Sequence, residues 1–247
     1  MRDIVILSVI QGICEWFPIS SSGHLYIFHR LLGLKPDINL DIFLHSSSLL
    51  AIFIFFRKEI WEIIKVLLTF DTKNESFKTI FYIISATFIT GLIGFLLKDY
   101  EEILENKNVV SVGFLITTIF LFFSWKEGNK KIDFKTSLII GLSQGLALFP
   151  GISRSGATIS TAKILGVNDK ESFNFSFLLA IPAIIGSIVL KFEQLKDIRS
   201  DYIITGFLIT FFVSIITLYF LKKIVFKKRF KYFCIYTFLV FWVSLFI

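Results

Sequence analysis

Six stretches of this sequence, 40–57, 77–97, 108–125, 171–190, 202–221 and 230–247, each run for 18 residues or more with almost no charge. About 20 apolar residues in a helix cross the hydrocarbon core of a bilayer. A chain with six such runs is expected to fold as an all-α integral membrane protein. The remaining composition agrees. Of 247 residues, 55% are hydrophobic and 18% charged, where a soluble domain carries about 25% charged residues. Mean hydropathy is +0.75. A cytosolic enzyme, a disordered chain and a disulfide scaffold are thereby excluded.

Two further stretches, 3–30 and 134–165, are apolar at both ends and broken in the middle. The breaks read FPISSSGH (Phe17 to His24) and FPGISRSGAT (Phe149 to Thr158). Non-helical backbone at membrane depth is tolerated only where protein buries it or it lines a wet cavity. Both are therefore read as re-entrant helix–loop–helix hairpins, added to six transmembrane helices. A shift of 133 residues pairs Gln11 with Gln144, Gly12 with Gly145, Ile19 with Ile152, Ser20 with Ser153, Ser22 with Ser155 and Gly23 with Gly156. Asp41 and Asn174 fall at the same offset. Each hairpin is followed by three spans, an odd number, so the halves have opposite orientation. The expectation is an inverted-topology repeat within one membrane domain, 1–247, its halves about 1–130 and 131–247.

The net charge of +7 is an orientation signal rather than a nucleic-acid surface. Eighteen of the 26 Lys and Arg fall on the side holding the loops after the first, third and fifth spans. That side is expected to be cytoplasmic, with both termini outward. The first hairpin then enters from outside and the second from the cytoplasm. The segment 58–69 reads as a helix lying on the cytoplasmic surface, with Trp61 at the interface. Trp125 and Trp242 are belt candidates, Pro182 a kink in the fourth span, and Cys14 and Cys234 buried thiols. No cleavage signature follows the first apolar run.

The polar residues inside the breaks carry the chemistry. Gln11 and Glu15, four apart, share one helical face until Pro18 ends that helix. A carboxylate in an apolar segment is expensive and calls for a partner in a polar cavity, the plainer alternative being a surface Glu. Ser20, Ser21, Ser22 and Gly23 follow, then His24. In the second break Arg154 is the one charge between Lys135 and Lys163. Its guanidinium grips a phosphate bidentately or, more plainly, pairs with Glu15. Gly151 and Gly156 admit a ligand close to the backbone, Ser153, Ser155 and Thr158 add hydroxyls, and a helix expected to begin after Gly156 points its N–H groups at the loop. These residues suit a phosphate ester or diphosphate, with Glu15 and the carbonyl of Gln11 as ligands of a hard divalent cation. His45 with Ser46 to Ser48 is read as span hydroxyls bonded to backbone, outside the site, and His29 as interfacial.

The motifs QGICEWFPISSSGH (Gln11 to His24) and PGISRSGAT (Pro150 to Thr158) resemble those of the undecaprenyl-diphosphate phosphatase family, linked to bacitracin resistance. FLHSSSLLAIFIFFR (Phe43 to Arg57) and FNFSFLLAIPAIIG (Phe173 to Gly186) extend the likeness along the chain. The resemblance implies a bacterial inner-membrane enzyme that removes the terminal phosphate from a C55 polyprenyl diphosphate and regenerates the lipid carrier of peptidoglycan synthesis. It implies essential roles for Glu15, His24 and Arg154, Ser21 as a candidate nucleophile beside His24 or water, and a required Mg2+ or Ca2+ ion. Many members carry Glu where this chain has Gln11, which removes one negative metal ligand. A lipid flippase or transporter is the rival, because inverted repeats with broken helices are also transporter architecture.

Overall fold

The computed structural model describes residues 1–34, 38–97, 106–126, 128–190 and 200–247. Among them the chain is helical, and its one β-type contact is an isolated bridge between Lys130 and Val167. The helices are α1 (Arg2–Cys14), α2 (Ser21–Leu31), α3 (Ile38–Phe55), α4 (Arg57–Thr69), α5 (Glu75–Leu97) and α6 (Lys107–Phe123). They continue as α7 (Phe134–Leu146), α8 (Arg154–Ile164), α9 (Asp169–Leu190), α10 (Ser200–Phe226) and α11 (Phe233–Ser244).

Three helices, α5, α9 and α10, are long and apolar enough to cross a membrane, and a fourth span arises if α3 and α4 count as one bent pair. The bend between them is 80°. It separates an apolar helix from the amphipathic one expected on the surface, where Trp61 is exposed. The last apolar stretch, expected to be helical from 230, starts instead as a 3-10 turn, Phe230–Tyr232, before the 12-residue α11. The Lys227–Lys231 basic run feeds that turn, and such a cluster stays at the edge of the apolar layer. Pro182 lies inside α9, which continues through it. Trp125 and Trp242 are exposed, as belt residues are.

Both hairpin breaks have local causes. The α1 hydrogen-bond ladder runs to Phe17 N–H donating to Ile13 C=O, then stops at Pro18, which has no N–H to give. Ser20 caps α2 by accepting from Gly23 N–H, and Ser153 caps α8 by accepting from Gly156 N–H. The second helix therefore begins at Arg154, ahead of the expected start after Gly156, because Ser153 supplies the cap. Asp133 starts α7 by accepting from the N–H of Thr136, and that bond holds its carboxyl below the usual carboxylate range.

Lipid gives little hydrophobic drive for helix association, so contacts rest on small residues and hydrogen bonds. In this chain α1 packs along α10 in parallel. Thr210 Oγ1 donates to Ser8 C=O at 3.3 Å, and Gly12 lies against Val213. In the same way α7 packs along α5, Thr90 Oγ1 donating to Gly141 C=O at 3.1 Å and Gln144 Nε2 to Thr90 Oγ1 at 3.2 Å. Helices α6 and α11 run antiparallel, joined by Thr118–Thr237 and Ser111–Ser244 hydroxyl pairs at 2.8 Å each. The largest core cluster, around Trp16, Phe56, Phe173 and Phe177, fills the space beside the first break.

Candidate active site

The two breaks meet. Glu15, at the C-terminal end of α1, is buried, and both its oxygens are occupied. Oε1 accepts from Arg154 Nη2 at 2.6 Å across the two hairpins. Oε2 accepts from Ser21 Oγ at 2.7 Å and from Gln11 Nε2 at 3.1 Å, and lies 3.1 Å from His45 Nε2. The turn between α1 and α2 brings Ser21 back over Glu15, and Ser20 adopts φ 67° to make it. That left-handed conformation is costly for a residue with a side chain and is found where surrounding structure enforces it.

His45 enters from α3. Its Nδ1 lies 2.7 Å from the Asp41 carbonyl and its Nε2 3.1 Å from the Glu15 carboxylate, and since both oxygens only accept, the two bonds take a proton on each nitrogen, the imidazolium form. Nε2 is also 3.2 Å from Ser21 Oγ. The adjacent serines do bond to backbone, Ser46 and Ser47 to the Phe43 carbonyl and Ser48 to that of His45. The histidine departs from that reading, since it is a full member of the cluster. The signal was present in the sequence: an imidazole in an apolar span needs a partner for the same reason Glu15 does.

Arg154 stacks its guanidinium over Trp16, 5.4 Å from the ring centroid. Among the described residues its buried Nη1 has no hydrogen-bond partner, and neither has the buried Gln11 Oε1. A buried unpaired donor and a buried unpaired acceptor beside one carboxylate each cost stability that a bound ligand recovers. The loop below Arg154 is held by Thr117 of α6, whose Oγ1 donates to Gly151 C=O and accepts from Ser153 N–H, both at 2.9 Å. Gly151 takes φ 88°, and a Cβ there would meet the Val110 carbonyl at 2.1 Å. Ser155 Oγ donates to Phe17 C=O at 3.3 Å, a second link between the hairpins, and Thr158 pairs with Ser176 of α9 at 2.6 Å. Gly156 lies against Ser153 and Pro18. Ser20 and Ser22 lie 3.3 Å apart, as do Ser153 and Ser155.

His24 does not touch Glu15. Its Nδ1 lies 2.8 Å from the Ser20 carbonyl, and its Nε2 is 2.8 Å from the hydroxyl of Tyr236 on α11, whose ring stacks on it. Gly23 leaves no room for a Cβ between Phe114 and Gly151. Tyr236 has no local sequence signal, because only the packing of α11 against α2 and α6 brings it there. Two expectations change in detail. His29 is buried and bonded to Asp41 at 3.0 Å rather than interfacial. Cys234 is half-buried while Cys14 is buried. Glu15 and Arg154 are directly paired, as the plainer reading had it.

Among the described residues no three His, Cys, Asp or Glu side chains converge as a cation cage. The hard oxygen donors that remain are the Glu15 carboxylate and Gln11 Oε1. That set suits a cation which takes most of its ligands from phosphate and water.

Comparison with known proteins matches residues 4–243 to the family model described as bacitracin resistance protein BacA. A protein named undecaprenyl-diphosphatase from Thermosipho melanesiensis is 39% identical, over 94% of this chain and 93% of its own. One of the same name from Korarchaeum cryptofilum is 36% identical over 95% of both chains. Undecaprenyl-diphosphatase 2 of Bacillus thuringiensis is 37% identical, over 96% of this chain and 93% of its own.

Proposed function

The chain belongs to the bacitracin resistance protein BacA family, and on that premise we propose that Glu15, Ser21, His45 and Arg154 form the centre at which it hydrolyses undecaprenyl diphosphate. It is an undecaprenyl-diphosphate phosphatase, releasing undecaprenyl phosphate and inorganic phosphate. Recycling of the lipid carrier for peptidoglycan and bacitracin resistance follow from the family. The relatives' names favour this reading over a flippase.

The observation that carries the assignment is the Ser21 hydroxyl, 2.7 Å from a buried carboxylate that is itself 2.6 Å from an arginine with one unpaired Nη. Substrate enters with Arg154 Nη1 donating to the terminal phosphate, and Ser20, Ser22, Gly23, Ser153, Ser155, Gly156 and Thr158 shape the walls. Ser21 Oγ attacks the terminal phosphorus as its proton passes to Glu15 Oε2. The Oγ–P bond forms while the P–O bond to the bridging oxygen breaks, releasing the lipid monophosphate. A water then attacks the same phosphorus and the Oγ–P bond breaks, the water's OH leaving on the phosphate and its proton going to Oγ, while Glu15 releases the proton it took to solvent, which restores Ser21 and the carboxylate. Arginine positions the group and neutralises its charge, which is most of what phosphoryl transfer needs. His45 holds the carboxylate through Nε2. Ser21 is assigned as nucleophile over His24 because both ring nitrogens of His24 are already engaged, by Ser20 and Tyr236. His24 in turn fixes the start of α2 behind Ser21.

Glu15 and the free oxygen of Gln11 would hold Mg2+ or Ca2+. Bound there, the cation supplies neutralisation of the diphosphate charge.

The fold reading that accompanies this site is six membrane crossings with two re-entrant hairpins, an inverted repeat of about 1–130 and 131–247 in one domain, and both termini outward. The matched caps and the matched 3.3 Å serine pairs favour it. So does the exchange of partners between halves, α1 lying along α10 and α7 along α5.

Purified protein in detergent, given undecaprenyl diphosphate with Mg2+ or Ca2+, is expected to release phosphate. Ser21→Ala, Glu15→Gln and Arg154→Ala should each lower kcat by about 100-fold or more. Wild-type hydrolysis with no acid-stable phosphoserine on Ser21 under rapid quench, together with a fully active Ser21→Ala, would move the attack to water.

A further inference from the structure

The search outside the site leads to the end of the molecule where α3, α4 and α10 meet. There a groove of about 580 Å3 is lined by Arg57, Lys222, Lys223 and Lys227, and among the described residues no Asp or Glu lines it. Its floor is apolar, with Phe55 and Phe226 among its residues. Arg57, Lys223 and Lys227 are exposed and Lys222 is half-buried, and two of the lysines rest on aromatic rings. Lys222 Nζ sits over both phenyl rings, 5.6 Å from Phe55 and 5.8 Å from Phe226, and Lys223 Nζ sits 4.3 Å from the ring of Tyr219.

This is not the general character of that end of the molecule. A second cavity, of about 490 Å3 between α4, α5 and α9, places Glu59, Glu62, Glu75 and Glu171 among its lysines, and Lys131 is paired there with Glu75 at 2.7 Å. Among the described residues the lysines of the first groove have no such counter-charge within it. Four cations that line one groove, with no carboxylate among its described lining residues, give it a positive potential that attracts an anion.

We propose that this groove binds the headgroup of an anionic glycerophospholipid of the surrounding membrane. The charge complementarity calls for an anion, and the apolar floor calls for one that carries hydrocarbon. The helices that form it supply both at one depth: α10 is apolar through Ile215 and Tyr219 and basic from Lys222 onward, so acyl chain and phosphate meet the matching halves of one helix. A free phosphate would leave the phenyl floor without a partner. The volume lies within the roughly 300–1,000 Å3 typical of small-molecule sites. The site is separate from the proposed catalytic centre and does not depend on that assignment.

The test is native mass spectrometry of the delipidated wild-type protein, titrated with phosphatidylglycerol and with phosphatidylcholine. The expected result is one phosphatidylglycerol retained in clear preference to phosphatidylcholine. The triple variant Lys222→Gln, Lys223→Gln, Lys227→Gln should lose that preference, by roughly fivefold per lysine removed. Removing equal charge from Lys58, Lys65 and Lys73, all outside the groove, should leave it intact. Four outcomes would overturn the proposal: no preference in the wild type, equal loss in both triple variants, displacement by millimolar inorganic phosphate, or tighter retention of a polyprenyl phosphate than of phosphatidylglycerol. The wild-type arms decide the matter even if the groove variant fails to fold.

Discussion

Glu15 has four side-chain partners, Arg154, Ser21, Gln11 and His45, and they differ in charge and in proton content. A buried carboxylate that loses one donor keeps its charge but not its compensation, which is why such losses are costly. Arg154 supplies the opposite charge, Ser21 the proton in question, and His45 a donor that sets the carboxylate's direction. If His45 acts as that donor, Gln at 45 can replace it while Ala cannot. His45→Ala is therefore expected to lower kcat by roughly 10- to 100-fold, the cost of a hydrogen bond to a charged group, with His45→Gln recovering most of it. Equal loss in both variants, with a pH–rate profile that loses one limb, would instead make His45 the base. Steady-state phosphate release across pH 5–9 reads both outcomes. Glu15 and Arg154 were legible in sequence because charged groups in apolar segments need a reason to be there, whereas Ser21 stood out from its neighbouring serines only through the family resemblance. The same cost argument reached His45, but the serines beside it supplied a sufficient local explanation and masked it. Tyr236 was illegible, since its hydroxyl meets His24 only through a contact spanning 212 residues.

At the level of elements, the two breaks solve one geometrical problem with different residues. Position 20 takes the positive φ in the first, while Ser153 at the matching position is extended with φ −74° and Gly151 takes the positive φ in the second. The caps survive this difference because both depend only on a serine three residues ahead of a glycine N–H. What the second break requires of its neighbour is closeness. A Cβ on Gly113 of α6 would meet the Pro150 carbonyl at 2.2 Å and Gly151 backbone at 2.8 Å. Backbone cannot rotate aside as a side chain does, so Gly113→Ala should push α6 from the loop and break the Thr117 clasp. The expected cost is about 1–3 kcal/mol of stability, read as a lowered melting temperature in detergent, with KM rising as Arg154 loses its footing. An unchanged melting temperature would mean that α6 has slack. Nothing in the sequence singles out Gly113, because its constraint comes from a loop nearly 40 residues away.

For the whole molecule, the first helix of each hairpin packs along a long helix from the far half of the chain, so neither half closes its own core. Glu15 and Arg154, 139 residues apart, can meet only in the assembled whole. The proposed orientation is tested by thiol labelling in cells, after alanine replaces Cys14 and Cys234. Phe246→Cys should react with a membrane-impermeant maleimide on intact cells, and Lys73→Cys only after permeabilisation. The reverse pattern would invert the topology. The sequence by itself determined that this chain lives in a bilayer, where its helices are interrupted and that Glu15 and Arg154 need partners, because lipid penalises every buried charge and every unpaired backbone group locally. Tertiary structure alone decided that Ser21 and His45 share Glu15, that His24 turns to Tyr236 and that four cations gather in one groove. Those outcomes depend on how distant helices pack, and the hydropathy of a segment carries no record of which partner it will meet.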